Sequence, residues 1–200
     1  MSSFRSRRTE GLVQSDIRYM SRECNKVGGI NLGQGICDMP TPSIVREAAI
    51  DAIRAGKSIY SYAEGAVELR EAIAAKVKRY NKLDVDPQRE LVVTVGASGA
   101  FTATINALLD VGDGIVLFEP YYGYHLHAST MAGLEPQFVS LEAPQFTFSE
   151  EQLENAIQSN TRAIVICTPG NPSGKMFDLQ ELEVIARVAQ RHDLLVITDE

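Results

Sequence analysis

The chain has few cysteines, no long apolar run and no block of basic residues, and each lack removes a class of protein. Cys24, Cys37 and Cys167 are an odd number at wide spacings with no CxxC pair. That argues against a disulfide framework and against a zinc site, and free buried thiols are expected instead. No stretch approaches the ~18 apolar residues of a membrane span. Arg5, Arg7 and Arg8 have no apolar segment behind them, so the expectation is a cytoplasmic protein. A formal net charge of −7 without a Lys/Arg stripe argues against nucleic acid or anionic membrane as partner and for small metabolites. The Walker lysine loop and the three-glycine dinucleotide fingerprint are also missing. His125, His127 and His192 have no triad or metal spacing and are expected as surface or satisfied core residues.

What is present is an ordinary globular composition, 44% hydrophobic and 22% charged over 200 residues, enough to bury a core. From about residue 90, short β-rich runs alternate with stretches of helical period. The pattern predicts strands at 91–95, 115–118, 136–140, 163–168 and 194–198. Several are near-continuous apolar runs, as expected of parallel strands covered on both faces. Ser149 followed by Glu150, Glu151 and Gln152 opens a helix with Leu153, Ala156 and Ile157 inward. Asp178 with Glu181 reads as a capping box, ahead of a stripe of Leu182, Ile185, Ala186 and Ala189. The first ninety residues read as mainly helical, with one irregular Gly- and Pro-rich stretch at 30–42. Thr41 and Pro42 are expected as N-cap and first residue of a helix reaching about Ala55, with Gly56 as terminator. A second helix is predicted over 67–80, with Leu69, Ile73, Val77 and Tyr80 on one face.

Four clusters follow four of the predicted strands. In VVTVGASGA (92–100) a predicted buried strand meets small residues at a helix start, where backbone N–H groups and the helix dipole suit a phosphate. A tight turn requiring small residues is the plainer alternative. In TPGNPSG (168–174) two prolines and two glycines restrain Asn171 where open α/β sheets bind ligands. A bare turn is the alternative, although Asn171-Pro172 is an unusual choice for one and a candidate cis bond. Asp199 ends the last predicted strand, either as an acid facing the same crevice or as a solvated loop acid. EPYYGY (119–124) offers aromatic faces, for stacking or for packing. Together the four suit a planar, anionic, heteroaromatic ligand.

In order, INLGQGICDMPTP (30–42), IYSYAEGAVELREAI (59–73), VTVGASGA, EPYYGY, TPGNPSGK and the final ITDE make the chain resemble the class I/II aminotransferases, the pyridoxal-phosphate enzymes of fold type I. The resemblance implies a three-layer α/β/α large domain with a mainly parallel sheet over residues 46–200. Residues 1–45 would be an N-terminal arm contributing to a small domain. It implies pyridoxal 5'-phosphate as cofactor, held by Ala97 and Ser98 at its phosphate, by Tyr122 stacked on its ring and by Asn171 at the ring's 3'-oxygen. Asp199 would pair with the pyridine nitrogen. Tyr60 would reach the phosphate of the neighbouring subunit in a homodimer, and Gly35 would meet the substrate carboxylate side. Opposite charges ~4 Å apart at an effective dielectric of ~20 attract by about 4 kcal/mol, roughly three pKa units before desolvation, enough to keep a weakly basic nitrogen protonated.

Three departures stand out. Ile36-Cys37 replaces the aromatic and proline common in relatives, the stretch before Gly65 lacks the usual proline, and the stacking residue is tyrosine. No lysine present (26, 57, 76, 78, 82 or 175) stands in the family's Schiff-base context, so that residue is expected beyond Glu200. The expected activity is transamination between an amino acid and a 2-oxo acid. The alternatives are a lyase or decarboxylase built on the same cradle, or a non-catalytic binding module should the chain end at Glu200.

Overall fold

The structure is a computed structural model and describes residues 4, 6–10, 12, 16–35 and 37–200, with Asp16 as backbone only. Ile36, one of the departures above, lies outside the described residues, as does Arg5. In chain order, α1 is Asp16–Lys26, α2 Ser43–Arg54, α3 Val67–Tyr80, α4 Gly96–Leu108, β1 Gly114–Glu119, α5 Gly123–Ala132, β2 Glu135–Ser140, α6 Glu150–Ala156, β3 Thr161–Cys167, α7 Leu179–His192 and β4 Leu195–Asp199. The chain packs as two compact units, Gln14–Thr94 and Met1–Val13 with Val95–Glu200.

The second of these units holds a parallel four-stranded sheet of order β2-β1-β3-β4. Alternate side chains of each strand feed two cores. Val116, Phe118, Ile164 and Ile166 meet Leu153 of α6 and Ile185, Val188 and Ala189 of α7 on one face. Ile115, Leu117, Ala163 and Val165 meet Phe101 and Ile105 of α4, with Leu126 and Ala128 of α5, on the other. The expected three layers are therefore present. Their arrangement follows from the single hand of βαβ crossovers. The step from β1 to β2 runs one way across the sheet through α5, while the steps into β3 and β4 run the other way through α6 and α7. Helices serving opposite steps must cover opposite faces, and they do. Strand order thus reverses between β1 and β3, the position at which open α/β sheets form their ligand crevice.

Burial along the strands matches the order. Central β1 and β3 are almost wholly buried, whereas the edges β2 and β4 alternate between exposed and covered. Both helix starts read from the sequence carry reciprocal capping boxes: Ser149 with Gln152, and Asp178 with Glu181. α7 buries Ile185, Val188 and Ala189 with Leu182 half-buried, but Ala186 is exposed, so Val188 takes the place expected for it.

The strand expected at 91–95 is absent. Those residues run without helix or ladder, and Val92 and Val95 are 66% and 95% exposed rather than buried. A β-rich run becomes a strand only where a neighbour completes its hydrogen bonds. Among the described residues no neighbouring strand pairs with the run, and Val93 N–H donates instead to the Glu64 carbonyl at 2.9 Å, outside any ladder.

In the Gln14–Thr94 unit α3 has the expected limits, but its inner face is rotated by one residue. Arg70 is buried beside half-buried Ile73, Ala74 and Val77, and Leu69 and Tyr80 are exposed. The Arg70 guanidinium is held by Nη1 donating to the Pro87 carbonyl at 2.8 Å, while the Lys76 ammonium lies over the exposed Tyr80 ring. Periodicity alone places a charged residue outward and cannot see the carbonyl that receives it. Pro42, not Thr41, is the N-cap of α2, and no side chain caps that helix. Its other end is as expected. Gly56 at φ +69° lets its N–H reach the Ile53 carbonyl and lets Lys57 N–H reach that of Ala52, the paired bonds of a glycine-terminated helix.

Candidate active site

The carboxyl ends of β1, β3 and β4 bring Tyr122, Asn171 and Asp199 together. Cys167 of β3 lies in register with Asp199 of β4, and Thr168 N–H donates to the Asp199 carbonyl at 3.0 Å, so the Asn171 loop leaves the sheet beside Asp199. Tyr122, following β1, is the N-cap of α5 and turns the chain back over the sheet. A cavity of about 300 Å³ is lined by Ser98, Thr102, Tyr122, Tyr124, His125 and Asp199 among others, a volume at the lower end of small-molecule sites. A recess sharing Tyr122 and His125 with that cavity is lined by Cys167, Asn171, Ser173 and Lys175. Asp199, Asn171 and the α4 turn therefore meet around one tyrosine and one histidine. Asn171-Pro172 is cis, as is Thr168-Pro169.

The start of α4 has the features an anion requires. No side chain caps it and no acid lies in its first turn. Gly96 stands at φ +70° with open space where a Cβ would project, and Ala97 and Ser98 are exposed. With a half-buried carboxylate, a tyrosine ring and an amide nearby, this donor set fits an anionic, ring-shaped group such as pyridoxal 5'-phosphate. Gly35 and Tyr60 belong to the Gln14–Thr94 unit, and both are exposed there.

The sequence reading missed the role of His125. Buried between Phe101 and Tyr122, with ring centroids at 4.5 and 5.3 Å, it places Nε2 at 3.1 Å from Oδ2 of Asp199. The expectation of a satisfied histidine holds, but the satisfying group is the site's own carboxylate. An aromatic-rich EPYYGYH run was the available signal, and nothing in it pointed 74 residues ahead. Asp199 in turn is not a solvated loop acid, since its carboxylate is 24% exposed and accepts this bond. His127 lines the main cavity, and His192 bonds Glu154 across α6 and α7 on the surface.

Burial pushes the His125 imidazole below its ordinary value of 6.5, while the Asp199 charge and hydrogen bond act the other way. The folded state then binds fewer protons than the unfolded chain. Its full contribution to stability is present above about pH 6.5 and is lost as pH falls from there through the depressed folded value. His125→Asn is expected to flatten that part of the stability profile. Urea midpoints between about pH 5 and pH 7.5 measure it, and a variant as steep as the parent rules this linkage out. At Cys167 burial pushes the thiol up, an effect opposed by the Asn171 backbone and aided by Asp199, so this cysteine is a poor nucleophile.

The profile of the family described as "Aminotransferase class I and II" matches residues 27–200. The chain belongs to that family. Among similar curated aminotransferases, the probable N-succinyldiaminopimelate aminotransferase DapC of Mycobacterium tuberculosis is 38% identical, with the match covering 90% of this chain and 46% of the relative. Aromatic-amino-acid aminotransferase 2 of Thermococcus litoralis is 34% identical over 98% of this chain and 51% of its own length. The solved N-succinyldiaminopimelate aminotransferase from Mycobacterium tuberculosis superposes with a TM-score of 0.93 at 35% identity, covering 98% of this chain and 52% of that one. The aspartate aminotransferase from Thermus thermophilus with maleate gives 0.89 at 32%, covering 100% and 53%. The fold is that of these fold type I aminotransferases, and the family uses pyridoxal 5'-phosphate. The chain spans about half the length of the aminotransferases it matches.

Proposed function

We propose that the protein to which this chain belongs transfers an amino group between an amino acid and a 2-oxo acid with pyridoxal 5'-phosphate, acting in the cytoplasm as a homodimer with active sites at the interface. The observation carrying this reading is the grouping of Ser98, Tyr122 and Asp199 around one cavity, with Asn171 in the adjoining recess. Within it, residues 46–200 are assigned to the cofactor-binding large domain and 1–45 to the arm and small-domain segment.

Each residue then has a task. Ala97 and Ser98 bind the phosphate through the uncapped start of α4, where small side chains allow close approach. Tyr122 supports the ring face, and Asn171 donates to the ring's 3'-oxygen. Asp199 pairs with the ring nitrogen, and His125, by donating to Oδ2, keeps that carboxylate aimed. Gly35 meets the substrate carboxylate, and Tyr60 serves the neighbouring subunit's cofactor phosphate. When bound, the cofactor supplies the electron sink for chemistry at the substrate's α-carbon.

The test is direct. The protein at its natural length, loaded with pyridoxal 5'-phosphate, should show a visible absorption band that shifts on adding an amino donor, and should convert a 2-oxo acid into its amino acid. A band without amino transfer would leave a lyase or decarboxylase, and no band would remove the cofactor site.

A further inference from the structure

The loop that carries Asn171 closes on Lys175. Gly170 N–H donates to the Lys175 carbonyl at 2.7 Å, Gly174 N–H donates to that of Gly170 at 2.7 Å, and Lys175 N–H donates to Ser173 Oγ at 3.2 Å. The Lys175 side chain then turns inward, crosses the Phe177 ring and places Nζ at 2.7 Å from Oε1 of Glu181. The two side chains are only 9% and 12% exposed. Lys26–Glu23 and Lys78–Asp84, by contrast, are open to solvent, where ion pairs count for little. A buried pair is expensive to desolvate and is weak evidence for stability alone, which invites the question of what it specifies.

Its geometry answers. Oε2 of Glu181 accepts from Asp178 N–H at 2.9 Å, and Asp178 Oδ1 accepts from Glu181 N–H at 2.9 Å, so the same carboxylate caps α7 and grips the loop. α7 is anchored to the sheet by Ile185, Val188 and Ala189. Lys175 lines the recess together with Asn171 and Tyr122. We propose that the Lys175–Glu181 pair is a clasp that positions Asn171 towards the cofactor's ring oxygen, making both partners positioning residues. The proposal rests on the cofactor reading given above.

The two duties of Glu181 can be separated experimentally. Glu181→Gln removes the charge yet keeps an acceptor for Asp178 N–H; Gln152 performs that duty at the start of α6 in this same chain. Lys175→Met removes the cation and keeps most of the length. A hydrogen bond donated to an oxygen favours its anionic form, so weakening the Asn171 contact moves the bound chromophore's titration to higher pH. In the natural-length protein loaded with pyridoxal 5'-phosphate, Glu181→Gln should raise the midpoint pH, to a proton concentration about threefold lower. Asn171→Ala should raise it further, and adding Glu181→Gln to Asn171→Ala should change nothing more. In the cofactor-free protein, exchange of the Gly170 and Gly174 amides should quicken in Glu181→Gln.

Unchanged titration in Glu181→Gln, with Asn171→Ala shifted, overturns the clasp and leaves the cofactor reading standing. So does a Glu181→Gln shift that adds in full to that of Asn171→Ala, or unchanged amide exchange. A parent protein with no chromophore at all overturns both. If Lys175→Met does not fold, Glu181→Gln carries the test by itself.

Discussion

Alanine in place of Asp199 is expected to lower transamination by about a thousandfold, measured as kcat/KM on the natural-length protein. The magnitude follows from the roughly three pKa units that an adjacent carboxylate can supply to a ring nitrogen, each unit being a factor of ten in the protonated fraction near neutral pH. The structure adds a second consequence. Asp199 Oδ2 is the acceptor for the buried Nε2–H of His125, and removing it leaves that donor unpaired at a cost of about 1–3 kcal/mol. Stability of the cofactor-free variant should therefore fall too, and the two losses can be read separately. Asp199→Glu keeps the charge but lengthens the arm, so it should recover part of the rate. A drop below about tenfold in the alanine variant would remove Asp199 from the nitrogen-pairing role.

Phe118→Ala is expected to have the largest effect on stability, about 3–5 kcal/mol. The ring is buried at the end of β1 and packs against Phe148 and Phe177, with centroids at 5.1 and 5.3 Å. It therefore joins three segments: the central strand, the loop leading into α6, and the loop that returns from Asn171 to α7. Those segments are fixed by other contacts, so the cavity would not collapse fully, which puts the cost towards the upper end. Denaturant unfolding of parent and variant checks it. A loss below about 1 kcal/mol would mean that the three rings do not form the packed cluster described. Because Phe118 also walls the recess beside Asn171 and Tyr122, weaker cofactor retention should accompany the loss.

Much of this could be read in one dimension because the signals are local. The capping boxes at Ser149 and Asp178 involve residues three apart, and a glycine past a helix end announces its own positive φ, so α6, α7 and the end of α2 were legible. The apolar runs of β1 and β3 identified the buried strands in the same way. The predicted strand at 91–95 failed for the opposite reason, since strand formation depends on a partner and not on the run itself. The inner face of α3 was misjudged at Arg70 because a carbonyl 17 residues away accepts a bond from its Nη1.

From its residues alone, this chain specified the four strands of the sheet and most of its helices, the polar groups that follow those strands, and the family whose motifs they spell out. All of these are properties of neighbours in the chain. Folding decided that the sheet runs β2-β1-β3-β4 with its reversal between β1 and β3, that a histidine 74 residues before Asp199 holds it, and that a buried lysine ties the Asn171 loop to α7. Those depend on distances through space, and no spacing along a sequence encodes which of several buried charges will find each other once water has been excluded.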